Sequence, residues 1–413
     1  MTATELKADT SAGVNRTGVY LAVLQLVFTL GWTTYVIYLP KLAAGVGIAP
    51  SAVILILMLD QAIFTMSDTA MGIAADRIAP FVGRLGVFVG AVTAISCAAF
   101  IALPFVAGTG PSAQVWFIAL IVIWVITSSA LRAPPLTLLG KHRAKPAIPF
   151  LSALAMLGYG LAGAVSPYLG VALRNEDPRL PFVISGVVLL VTALALSKVE
   201  RGLAPEPASP GKAAEAAKPF GQVPTIFIAS MVVLSLGYQL HFSINSGPFF
   251  LRFARPEDLQ WLMPVFWIGF NIAMFPASVV VKHRGGLVVI GAAGLLGALA
   301  VLGAELAGNL NVLIVAQFIA GAAWGCMLMS AISAALAMGE TGAEGKLVGL
   351  VFSALAFAAF ARMAAVAGGL QRLPEYAPLL HWAPVACWSV AGAALLVIAA
   401  SWARQSVEKL RVV

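Results

Sequence analysis

Four charged side chains stand inside long apolar runs of this 413-residue sequence: Asp60, Asp68, Arg132 and Arg362. A carboxyl removed from water favours its neutral form, so it either cycles a proton or needs a partner. A guanidinium in the same surroundings presents a planar fork that grips a carboxylate or phosphate through two parallel hydrogen bonds. Asp60, Phe64, Asp68, Gly72 and Asp76 recur at four-residue steps, which sets them along one slowly turning ridge of a helix. Asp60 and Asp68 are then about 12 Å apart along the axis, at ~1.5 Å per residue, too far to share one proton. Asp60 has no basic residue at its depth among the first six runs and is the first candidate for proton coupling. His241 is the second, because an imidazole titrates near physiological pH.

Further polar groups sit in the same kind of surroundings. Tyr238, His241 and Asn245 are spaced i, i+3 and i+7 on one helix face, with Gln239 and Ser246 on the next. Gln25 and Trp32, Asn271, and Gln317 with Trp324 lie in other apolar runs. Aromatic walls with a few amide anchors suit a small-molecule site, so Arg362, Tyr238, Asn245, Gln25, Trp32, Asn271, Gln317 and Trp324 are the expected substrate-binding residues.

The elements that position these groups follow from composition. The chain is 61% hydrophobic and 10% charged, with a mean hydropathy of +0.96. Soluble domains carry about 25% charged residues, so this chain cannot coat its surface for water. That excludes a soluble enzyme, a nucleic-acid-binding module and a disordered protein. A helix needs roughly 20 apolar residues to cross a bilayer. Twelve such runs occur, at 17–39, 51–75, 84–107, 115–139, 148–173, 181–198, 223–250, 259–281, 286–306, 310–338, 346–370 and 380–403. Cys97, Cys326 and Cys387 fall inside them without disulfide or zinc spacing. No cofactor motif is present, and residues 1–15 do not read as a cleavable leader.

Basic residues orient the runs. With both termini in the cytoplasm, seventeen of the 25 Lys and Arg fall on that face, six fall on the other, and Arg132 and Arg362 stay in the membrane. The net charge of +8 is therefore a topology signal and needs no nucleic-acid partner. The Pro-, Ala-, Glu- and Lys-rich stretch 199–222 reads as a cytoplasmic linker between two six-helix halves, 1–198 and 223–413. The expected architecture is an all-α integral membrane protein of two six-helix bundles. It would act as a monomer in a cell membrane, the inner one if the source is bacterial.

Depth pairs two of the four charges. Arg132 lies seven residues before the end of its run at Leu139, and Asp68 lies seven before Ala75. Both runs head inward, so an Asp68–Arg132 ion pair is expected. Arg362 either binds an anionic ligand or pairs with Asp60 across the two halves.

Between the second and third runs, Gly72-Ile-Ala-Ala-Asp76-Arg77 and then Gly83-Arg84 resemble the G-x-x-x-D-R/K-x-G-R/K-R/K motif of the major facilitator superfamily. The tail departs from the pattern, because Ala-Pro-Phe-Val intervenes before Gly83. The resemblance implies two six-helix halves that rock around a central site. It also implies that Gly72 permits close helix packing and that Asp76 engages the start of the eleventh run near Gly345-Lys346, where a helix N-terminus carries partial positive charge. Gly158, Gly160, Gly163, Ser166-Pro167 and Gly170 resemble, more loosely, a motif of antiporters in that superfamily. The expected function is secondary active transport of a small organic solute with an anionic group, by alternating access coupled to protons. Proton antiport of an amphipathic drug or metabolite is the alternative. A channel lacks its repeated filter sequence here. An embedded enzyme lacks clustered ligands, and no phosphate-binding loop supports an ATP-driven pump.

Overall fold

The structure is a computed structural model. It describes residues 3–78, 83–107, 110, 112–140, 147–202, 221–339 and 342–411. Among these residues there is no strand, and twelve helices are long and apolar enough to cross a membrane. They are α1 (Asn15–Gly45), α2 (Pro50–Ile78), α3 (Arg84–Phe105), α4 (Ala113–Gly140), α5 (Ile148–Ala172) and α6 (Arg179–Arg201), followed by α7 (Gln222–Leu251), α8 (Pro256–Arg284), α9 (Gly286–Glu305), α10 (Leu310–Met338), α11 (Glu344–Ala367) and α12 (Pro378–Ser401).

Each sequence run became one helix, with shifted ends. The first run was expected to stop at 39, but α1 continues through Pro40 to Gly45 because Leu39, Leu42 and Ala43 are buried and hold it in place. In α4 the regular hydrogen bonding stops after Ser128. Two 3-10 turns, Ser129–Leu131 and Pro134–Leu136, precede a last α-turn at Thr137–Gly140. Pro134 and Pro135 have no N–H to donate, and their rings clash with the preceding turn. Arg132 sits on this break. Helix α7 is interrupted by a π-turn at His241–Asn245. The motif tail at 79–82, the basic loop 141–146 and most of the expected linker (203–220) lie outside the described residues.

Two sets of six helices pack side by side. In the first, α1 lies against α5 and α6, and α3 against α4 and α6. In the second, α8 lies against α10, α9 against α10 and α12, and α7 against α11 and α12. The sets meet along α2–α11 and α5–α8. The helices α3 and α9 each follow a glycine with positive φ, Gly83 at +82° and Gly285 at +83°. Side chains rarely adopt that conformation.

Lipid tails are as apolar as leucine, so helices in a membrane associate through close packing at small residues. The glycines of α5 follow that rule. A Cβ on Gly158 would strike the Ala22 backbone of α1; on Gly160 it would strike Phe270 and Asn271; on Gly163 it would strike the Trp267 ring. The run that resembles an antiporter motif thus seats the bulky face of α8 and one turn of α1.

Candidate transport site

The two sets of helices are clasped together at the end that carries Arg77, Lys282 and Lys346. Gly345 N donates to Asp76 Oδ1 at 2.6 Å and Lys346 N donates to Asp76 Oδ2 at 2.8 Å. Asp76, on α2, thereby caps the first turn of α11. Gly72 lets the backbones meet, because a Cβ there would run into the Gly345 carbonyl. One turn further in, Gly349 packs on the Asp68 carbonyl, and the hydroxyls of Thr69 and Ser353 are 2.8 Å apart. Gly140, at the end of α4, closes against Glu344.

Beyond this clasp lies a cavity of about 390 Å³ between the two sets. Its lining climbs α1 from Gln25 to Val36 and α11 from Phe352 to Met363, away from the clasped end. Gln25, Trp32, Tyr238 and Arg362 line it, as the sequence suggested. Among the described residues no carboxylate lines it, whereas Arg132 and Arg362 both do.

The two arginines differ in their partners. Arg132 Nη1 is 2.9 Å from Asp68 Oδ2. Its guanidinium lies 4.5 Å from the centre of the Phe64 ring and 5.1 Å from that of Phe352. The expected pair therefore forms, with Asp68 buried behind the wall and Arg132 facing in. Arg362 donates its Nε to Gln239 Oε1 at 3.0 Å and has no acidic partner among the described residues. Its terminal nitrogens stay available to the cavity. The alternative pair between Asp60 and Arg362 does not form.

Asp60 faces α1 instead. Tyr35 Oη donates to Asp60 Oδ2 at 2.9 Å, and Asp60 Oδ1 has no partner among the described residues. The pair is boxed by Trp124, 4.5 Å from the Tyr35 ring, and by Trp32, 5.4 Å from it. Trp32 lines the cavity, whereas Tyr35 and Asp60 do not.

Five expected site residues stand behind the wall. His241 Nε2 is 3.0 Å from Gln317 Oε1, and Gln317 Nε2 donates to Ser246 Oγ at 3.1 Å. This network closes α7 onto α10 among Phe249, Phe266 and Trp388. Asn245 donates to the Leu380 carbonyl at 3.1 Å. The π-turn explains its displacement: bonding five residues back adds a residue to the turn and rotates the outer part of α7 off the expected face. Asn271 Nδ2 is used by the Trp267 carbonyl at 2.9 Å. Trp324 stacks on Tyr238 at 4.5 Å, supporting it from behind. Conversely, the sequence reading passed over Tyr35, Gln61 and Tyr159. Gln61 and Tyr159 line the cavity. Tyr35 had a signal, lying one turn beyond Trp32 with its hydroxyl in an apolar run.

The Major Facilitator Superfamily model matches residues 21–361. The chain belongs to the major facilitator superfamily. Solved structures agree on the fold of this transporter. A bacterial homologue of the iron transporter ferroportin, in an outward-facing state, is similar at TM-score 0.69 and 14% identity, covering 93% of this chain and 99% of that one. The E. coli fucose:proton symporter is similar at TM-score 0.67 and 12% identity, covering 92% and 97%. The human organic anion transporter MFSD10 (TETRAN) is similar at TM-score 0.64 and 16% identity, covering 93% and 98%. No curated protein sequence matches the chain. At these identities the likeness concerns the fold, and the site must speak from its own residues. The motif residues Gly72 and Asp76 form the clasp, Arg77 and Arg84 are exposed beside it, and Gly83 makes the turn.

Proposed function

We propose that this transporter moves a small organic anion across the membrane, coupled to protons, by rocking residues 1–198 against 223–413. The observation that carries the reading is Arg362, a cation in the cavity wall with no counter-ion. An unpaired charge at this depth is costly, and a ligand carboxylate both neutralises it and matches its fork. The clasped end is taken as cytoplasmic from its basic residues, which makes this conformation outward-facing. A neighbour described as an organic anion transporter and another described as a proton symporter are consistent with the two halves of the reading.

The coupled proton is assigned to an α2 carboxyl. Asp60 has a free oxygen, but it lies inside the first set of helices and does not line the cavity. Asp68 has the stronger geometry. Its partner Arg132 lines the cavity, and its own backbone packs on α11, so both ligand binding and rocking reach it. His241, sealed by Gln317, has lost its support for this role. The aromatic walls favour the second reading, proton antiport of an amphipathic compound, only if the compound is anionic.

The test is uptake of candidate organic anions into proteoliposomes under an imposed pH gradient, with Arg362→Lys alongside. Lysine keeps the charge and loses the fork, so the expected result is weaker apparent affinity with an unchanged melting temperature. Equal affinity of the two proteins for every transported anion would refute the assignment.

A further inference from the structure

The cavity is specified beyond the sign of its ligand. Its fixed charge is one positive unit: Arg132 is neutralised by Asp68 at 2.9 Å, and Arg362 is not neutralised. A single carboxylate balances that unit, whereas a second one has to compete with Asp68 for Arg132. With no carboxylate in the described lining, an ammonium group has no counter-ion to meet it. The ammonium of a cation or a zwitterionic amino acid is therefore desolvated without a counter-ion.

The hydrogen-bonding groups are also few. Gln25 donates to the Leu131 carbonyl, and Ser166 bonds Ala162 and Thr33. Most of the wall is apolar, whereas a polyhydroxylated solute such as a sugar needs many polar partners. What remains is ring surface. Trp32 and Phe64 face in from the first set of helices, Tyr238 and Phe352 face in from the second, and Tyr159 meets Trp267 edge to face at 5.5 Å. Such edges and faces favour a flat π-system over an aliphatic body of equal area. At about 390 Å³ the cavity falls near the small end of ligand pockets, which suits one or two rings.

Resting on the reading of this cavity as an organic-anion site, we propose that its substrates are aromatic monocarboxylates. The carboxylate is held on the terminal nitrogens of Arg362, with Gln239 fixing the guanidinium through Nε, and the ring lies among the aromatic side chains on both sides.

Binding is measurable on the purified protein, because Trp32 and Trp267 in the wall report occupancy by fluorescence, with melting temperature as the second readout. The probes are benzoate, 2-naphthoate, hexanoate, phthalate, benzamide, benzylamine and phenylalanine. Benzoate and 2-naphthoate are expected to bind and to raise the melting temperature. Hexanoate should bind about tenfold more weakly, and the other four should not bind at the same concentrations. Arg362→Gln, which keeps a polar side chain in place, should weaken arylcarboxylate binding at least tenfold. If hexanoate binds as tightly as benzoate and still depends on Arg362, the aromatic assignment falls while the organic-anion reading stands. If benzamide or benzylamine binds better than benzoate and ignores Arg362, both fall. Absence of arylcarboxylate binding at millimolar concentration overturns the proposal.

Discussion

Replacing Asp76 by Asn removes the charge that ties α2 to the first turn of α11 while keeping the side chain's shape. The carboxylate accepts two backbone N–H bonds, at 2.6 and 2.8 Å, from Gly345 and Lys346. Hydrogen bonds to a charged group are worth about 1.5–3 kcal/mol each. The amide offers one oxygen and turns an NH2 toward the other donor, so one bond is lost. A charge–dipole contribution of about 0.3–1 kcal/mol at the helix end goes with it. The clasp exists only when this end is closed, so the loss of about 2–4 kcal/mol falls on one conformation. At 1.4 kcal/mol per decade the ratio of the two conformations shifts about 30- to 700-fold toward opening at the Asp76 end. Labels at Asn175 and Pro256, exposed at the other end of the two sets, report the shift as a shortened distance by fluorescence transfer or pulsed electron resonance. Asp76 is remote from the cavity lining, so intrinsic ligand affinity of the competent conformation should be unchanged. Unaltered label distances together with a large loss of intrinsic affinity would refute the reasoning.

Asp60→Asn fixes a neutral group beside Tyr35; if Asp68 carries the coupled proton, gradient-driven uptake survives it, and complete loss of driven uptake with preserved substrate exchange would move the assignment back to Asp60. Asp68→Asn leaves Arg132 unpaired and should destabilise the protein by about 3–5 kcal/mol, seen as a lowered melting temperature that Asp68→Asn with Arg132→Gln largely restores. No recovery in the double variant would show that the ion pair is not what the single variant breaks. Gly72→Ala pushes a methyl into the Gly345 carbonyl and should shift the label distances in the same direction as Asp76→Asn. For orientation, an impermeant thiol reagent added outside cells should label Asn175→Cys and Pro256→Cys and miss Lys212→Cys; labelling of the last would invert the topology.

The lipid-embedded class, the twelve spans and the basic face were legible because each depends on residue type summed over a run. Some forty charges over 413 residues are too few to coat a water-facing surface in any fold. The Asp68–Arg132 pair was legible for a related reason: depth along a helix is counted in residues, and two opposite charges at one depth inside lipid have little choice of partner. Asp76 was legible through its motif. The facing of each helix was not. In a soluble protein the polar side of a helix marks the outside, but here lipid and protein interior are equally apolar, so periodicity carries almost no record of which side looks inward. That is why Gln317 and Trp324 were expected in the cavity and ended behind it, and why Tyr159 was passed over. The π-turn at His241–Asn245 added a second loss, because spacings of i+3 and i+7 hold only while the helix keeps its regular turn. Arg362 shows the division within one residue. The sequence placed a cation in the outer half of α11, and only the packing of α7 beside it brought Gln239 to its Nε and left the rest of the fork facing empty space.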